Sequence, residues 1–109
     1  MSQNETKIQR QVQDYLKSIG AYCFKVHGSI YMRAGIPDII CCYKGLFIGI
    51  ETKDYGNTPS ELQKAHIRQI RKAGGIGFVA YSVEEVKNEF ERRNLIWEQA
   101  IPICWAMEK

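Results

Sequence analysis

Asp38 opens one hydrophobic run, Gly35-Ile36-Pro37-Asp38-Ile39-Ile40-Cys41-Cys42-Tyr43, while Glu51 and Lys53 close the next, Leu46-Phe47-Ile48-Gly49-Ile50-Glu51-Thr52-Lys53. Strand side chains alternate between faces, so Glu51 and Lys53 share one side with Phe47 and Gly49. Lys44-Gly45 supplies a tight turn between the runs, which predicts an antiparallel hairpin with position 38 opposite roughly 51. Two carboxylates brought that close repel unless a proton, a cation or an ammonium offsets them. Lys53 offsets part of the charge, and a hard divalent cation taking oxygen ligands can offset the rest. Such a site can orient a water, lower its pKa and stabilise charge on a phosphorus, with Lys53 positioning the water or a phosphate oxygen. By residue type alone, the three also fit a strand-end salt bridge.

Other residues could serve the same chemistry. Glu5 shares a helical face with the apolar positions Ile8 and Val12, so it either reaches the site or caps its own helix. Gln63 shares a face with Ile67 and Ile70, where its amide either meets water or phosphate near the site or stays at the surface. His27, Ser29 and Arg33 lie in the segment before Asp38 and could contact a phosphate backbone, Arg33 by a charge-assisted fork. Lys64, Arg68, Arg71 and Lys72 form either a backbone-binding basic face or an ordinary solvated one. His66 is read as structural or exposed.

These residues need elements to carry them. Ser2-Gln3-Asn4-Glu5 has capping-box spacing ahead of Ile8, Val12, Tyr15, Leu16 and Ile19, which predicts a helix over 3–18 ended by Gly20. Strands are expected at 21–26, 38–43, 46–53 and 76–80. Thr58-Pro59-Ser60-Glu61 predicts a helix from Pro59 to Ala73, and Ser82-Val83-Glu84-Glu85 starts another. The order α-β-β-β-α-β-α, with a helix joining the third and fourth strands, favours an α/β fold with a central mixed four-stranded sheet flanked by helices.

The 109 residues suit one domain, 1–109, with 95–109 as an apolar extension holding Trp97 and Trp105. That extension either buries against a second subunit or closes the protomer's own core. Lys and Arg (15) exceed Asp and Glu (12), a net charge of +3 that is compatible with a polyanionic partner. The four cysteines, at 23, 41, 42 and 104, contain no C-x-x-C pair and fit reduced, buried positions in the cytoplasm. No leader or membrane-spanning run is expected. Walker, dinucleotide-binding, zinc-finger and G-x-S-x-G patterns are absent.

The set Pro37-Asp38, Glu51-Thr52-Lys53, Ser60-x-x-Gln63 and Gly74-Gly75 resembles the VRR-NUC (virus-type replication-repair nuclease) domain of the PD-(D/E)XK nuclease superfamily, over about residues 2–86. The resemblance implies a restriction-endonuclease-like core in which Asp38, Glu51 and the Thr52 backbone carbonyl hold Mg²⁺, with Mn²⁺ as a substitute. It further implies Lys53 and Gln63 as catalytic residues, and Glu5 as a helix-borne acid acting directly or through metal-bound water. The expected activity is hydrolysis of DNA phosphodiesters by a structure-selective endonuclease of repair or recombination, a Holliday-junction resolvase acting as a homodimer in a bacterial or phage-infected cell. The rival readings are a flap, nick or duplex nuclease of repair or restriction type, and a non-catalytic nucleic-acid-binding module.

Overall fold

Helical periodicity, caps and short turns build the elements in the expected order. The computed structural model describes residues 3–28 and 32–96. It contains α1 (Gln3–Ser18), β1 (Tyr22–Lys25), β2 (Ile39–Tyr43), β3 (Leu46–Thr52), α2 (Glu61–Lys72), β4 (Ile76–Ala80) and α3 (Val83–Arg92). The strands form one sheet in the order β1-β2-β3-β4. The first three are antiparallel, and β4 runs parallel to β3 after the α2 crossover. This is the restriction-endonuclease-like α/β architecture, with a mixed sheet between helical layers.

The hairpin forms because Lys44 and Gly45 both take positive φ, 51° and 80°, the pattern of a two-residue turn that matches strand twist. Its register pairs Ile39 with Ile50 and Tyr43 with Leu46. One residue further along, Asp38 comes opposite Glu51.

One face of the sheet is the core. Ile39, Cys41, Tyr43, Ile48, Ile50, Phe78 and Ala80 are buried there with Val12 and Leu16 of α1 and Val86 and Phe90 of α3. Phe90 lies 6.1 Å from the Tyr15 ring and 5.7 Å from the Tyr43 ring. Burial of each large apolar side chain contributes roughly 1.5–3 kcal/mol, so this layer fixes the strands that carry the acids. On the other face, α2 covers β3 and β4 at close range. A Cβ at Gly49 would come 2.7 Å from Ile70 Cδ1, and one at Gly77 would come 3.2 Å from the Ile67 carbonyl. Glycine at these positions lets the middle and last turn of α2 pack closely on β3 and β4.

The start of α2 differs from expectation. The α2 helix is capped by Ser60 rather than Thr58: the Ser60 hydroxyl accepts from Gln63 N–H, and the Gln63 side chain accepts from Ser60 N–H. Gln63 also reaches a partner on β3, a tertiary bond that the Thr58 and Glu61 alternative lacks, so the later cap is reinforced. Later in the chain, Leu95 is buried and Ile96 packs on the core. The rest of the 95–109 extension lies outside the described residues, and the choice between its two roles lies there with it.

Candidate active site

The site forms where β2 begins and β3 ends, because a proline interrupts the ladder there. Continuing the β2–β3 register two residues past Ile39 and Ile50 sets Pro37 opposite Thr52. Proline has no N–H, so β2 offers no main-chain donor to the Thr52 carbonyl. The Thr52 N–H is taken by the next side chain instead: Asp38 Oδ2 accepts from Thr52 N at 3.0 Å and from Thr52 Oγ1 at 2.8 Å. These two bonds fix the Asp38 carboxylate against β3. The Thr52 hydroxyl was not among the expected site groups, and its signal was a hydroxyl residue placed opposite a proline.

Glu51 is 2% exposed, extreme for an acid. Its Oε2 accepts from Gln63 Nε2 at 2.9 Å and lies 3.9 Å from Lys53 Nζ, while its Oε1 is buried with no donor. Burial pushes its pKa up to about 8; the nearby Asp38 carboxylate adds to the rise, Lys53 opposes it, and the charge of Glu5 adds further. A carboxyl held neutral in this way becomes a charged ligand once a cation arrives.

The structure therefore brings Asp38, Glu51, Lys53 and Gln63 together, with Glu5 near enough to act on Glu51 through its charge. Both polar ends of the Gln63 amide are engaged, one at the Ser60 cap and one at Glu51, so it serves as a strut between α2 and β3. Among the described residues, no group of three or more His, Cys, Asp and Glu side chains has the arrangement of a metal site. The available donors are two carboxylates and the Thr52 carbonyl. All are oxygens, and one of them, Glu51 Oε1, is buried without a partner, which fits a hard divalent cation.

The other expected contacts are spread around this centre. Arg33 lines a cleft of about 230 Å³ together with Asp38, Gly35 and Val26. A Cβ at Gly35, where φ is +87°, would meet the Leu62 backbone at 2.9 Å, so this loop is pressed against the start of α2. His27 is exposed, and Ser29 lies outside the described residues. Lys64 pairs with Glu61 at 3.4 Å, while Arg68 and Lys72 are exposed. The Arg71 Nε donates to the Gly77 carbonyl at 2.7 Å, which ties α2 to the edge strand β4. His66 and Phe47 line a separate recess on α2.

Periodicity also missed Gln9, which is 1% exposed on α1, one turn after Glu5, with neither end of its amide bonded. Among the described residues no helix is long and apolar enough to cross a membrane.

No family model matches the sequence, and no curated protein matches it significantly. Solved structures do. A structure titled "VRR_NUC domain" is 25% identical, with a TM-score of 0.71 over 83% of this chain and 97% of that one. A "VRR_NUC domain protein" is 20% identical, with a TM-score of 0.67 over 84% and 88% of the two chains. Hjc of Archaeoglobus fulgidus, a Holliday junction resolvase, is 22% identical, with a TM-score of 0.55 over 69% of this chain and 65% of that one. The chain has the VRR_NUC-domain fold.

Proposed function

We propose that this protein is a divalent-metal-dependent, structure-selective DNA endonuclease, with Holliday-junction resolution as its activity. The observation that carries the reading is the convergence of Asp38, Glu51 and Lys53 at one end of the sheet, with a buried carboxylate oxygen left without a donor. Likeness to VRR_NUC structures supports a nuclease of that superfamily, and likeness to a junction resolvase supports branched DNA as substrate.

Asp38, Glu51 and the Thr52 carbonyl would hold Mg²⁺, or Mn²⁺ in its place. Bound there, the cation supplies positive charge against the two carboxylates and against the negative charge that gathers on the phosphate during attack. The bonds from Thr52 fix Asp38 and the bond from Gln63 fixes Glu51, which would keep both carboxylates in place to hold the cation. The Lys53 ammonium, held beside Glu51, orients the attacking water and the scissile phosphate oxygen. Glu5 adds an acid from α1. Arg33 in the cleft beside Asp38, with His27, Ser29, Lys64, Arg68, Arg71 and Lys72 around it, would follow the DNA backbone without reading sequence. A junction needs two symmetric incisions, so the active form is a homodimer. The exposed Tyr22, Phe24 and Phe47, on the part of the sheet that α2 leaves open, give a partner copy an apolar surface to cover.

The test is a panel of labelled four-way junction, flap, nicked and intact duplex DNA incubated with Mg²⁺. Paired cuts in the junction, lost on Lys53→Ala, are the expected result. Preferred cutting of flaps or nicks would reassign the substrate, and metal-independent binding with no product from any DNA would make the protein a binding module.

A further inference from the structure

The chain leaves the catalytic strand through Lys53-Asp54-Tyr55, and Tyr55 is 71% exposed. Its ring is nevertheless held firmly. It stacks on Tyr81, with centroids 5.4 Å apart and planes 19° from parallel. One carboxylate secures both tyrosines: Glu85 Oε2 accepts from the Tyr55 hydroxyl at 3.4 Å, and Glu85 Oε1 accepts from the Tyr81 N–H at 2.9 Å. The Tyr81 hydroxyl donates to the Asn57 carbonyl at 2.9 Å, closing the loop beneath the pair. The platform is joined to the active-site end of the sheet, because Lys53 N–H donates to the carbonyl of Ala80, the residue before Tyr81.

We propose that the outward face of Tyr55 is a stacking platform for an unpaired nucleobase of the DNA substrate, one or two nucleotides from the bond that is cut. The inference rests on the nuclease reading above and deepens it by naming the substrate feature that is recognised. Tyr55 follows Lys53 by two residues, a reach of at most about 7 Å. One strand of DNA advances about 3.4 Å per nucleotide, so a phosphate at Lys53 sets a base near Tyr55 one or two steps along. A tyrosine that only pinned the loop would bury both faces, whereas this one is covered on the Tyr81 side and open on the other. The surrounding charge selects the same ligand. Glu85 accepts from the ring's hydroxyl and Asp54 accepts from the Tyr55 backbone N–H, so two carboxylates lie at this residue, which disfavours a phosphate on the ring and leaves an uncharged base unopposed. A base inside a duplex shows only its edge, but one at a branch, flap or single-stranded gap can present a face.

The test measures binding separately from cleavage. Wild-type protein, Tyr55→Ala, Tyr55→Phe and Tyr55→Trp are titrated in EDTA with fluorescent DNAs of equal length, either fully paired or carrying unpaired 2-aminopurine beside the branch. Expected for Tyr55→Ala is a loss of about 5- to 100-fold in affinity for the unpaired DNA, the range one stacked base supplies. Duplex affinity stays unchanged, and quenching of the 2-aminopurine disappears. Tyr55→Phe and Tyr55→Trp keep both affinity and quenching. Equal affinity of wild-type and Tyr55→Ala, equal loss on both DNAs, or a loss in Tyr55→Phe matching that in Tyr55→Ala would overturn the platform; the last result would assign Tyr55 to holding Glu85. Wild-type protein that cuts DNA while Tyr55→Ala binds the unpaired DNA equally well ends this proposal alone, whereas wild-type protein that neither binds nor cuts any DNA ends the nuclease reading as well.

Discussion

Gln63 donates to Glu51 Oε2 at 2.9 Å while its own carbonyl oxygen accepts from the Ser60 N–H at 2.8 Å, so one amide joins the start of α2 to the end of β3. The two functions can be separated. In Gln63→Glu the capping box is kept, because glutamate also accepts from the cap N–H, but a further acid is set beside Glu51. In Gln63→Ala both are lost. We expect Gln63→Glu to unfold within about 1 kcal/mol of wild type when Mg²⁺ is saturating, and Gln63→Ala to lose about 1 kcal/mol through the cap alone. Both should cleave poorly. Chemical denaturation alongside initial cleavage rates distinguishes the effects, and full activity in Gln63→Ala would remove Gln63 from the site.

The raised pKa of Glu51 makes stability depend on pH. Its ordinary value is 4.5, and in the folded protein it stands at about 8. Between those values the unfolded chain has released the proton and the folded one retains it, so stability falls as pH rises, then levels above about 8. Below the ordinary value both states are protonated, so the dependence on pH vanishes and the stability is fully present. In EDTA, wild type should therefore lose up to roughly a few kcal/mol across this window relative to Glu51→Gln, which has no proton to release. Urea midpoints at intervals from pH 5 to 9 give the result directly. Parallel profiles for the two proteins would show that Glu51 ionises normally.

The hairpin and its acids were legible because both signals are local. Strand alternation places Glu51 and Lys53 on one side, and a two-residue turn sets the register that brings Asp38 opposite Glu51. What stayed hidden depends on contacts distant in sequence. Thr58 and Ser60 both offer a cap, and the bond from Gln63 to Glu51 reinforces the second. Arg71 reads as one more basic residue on α2 until β4 presents the Gly77 carbonyl to it. Tyr55 and Tyr81 are far apart in the chain, and only the parallel pairing of β3 with β4 stacks them.

Asp38 offers a test that spares the fold. Its Oδ2 accepts two hydrogen bonds from Thr52, and the amide oxygen of asparagine can accept the same two. Asp38→Asn should therefore melt close to wild type yet lose roughly 100-fold or more in cleavage rate, the scale seen when one charge-stabilising group is removed from an active site. Calorimetric titration with Mn²⁺ should show weakened cation binding in the same variant. Thr52→Val keeps the acid but removes the hydroxyl donor, so it should retain cation binding more fully than Asp38→Asn does. Undiminished cation binding in Asp38→Asn would take Asp38 out of the ligand set.

Gln9 poses the reverse case, a polar group whose removal should strengthen the fold. It lies on α1 one turn after Glu5, it is 1% exposed, and neither its Nε2 nor its Oε1 has a partner. A buried polar group left unsatisfied costs about 1–3 kcal/mol, whereas an apolar side chain of similar volume costs nothing of the kind. Leucine has nearly the right size, and its neighbours on this helix face, Val12 and Leu16, are already fully buried. Gln9→Leu should accordingly raise unfolding stability by about 1–3 kcal/mol, read as a shift in urea midpoint at constant m-value. Cleavage by this variant is the second readout: an unchanged rate makes Gln9 a purely internal cost of the fold, and a lower rate despite greater stability would mean that its amide supports Glu5 at the site. Lower stability would show instead that an internal water satisfies the amide in the native protein.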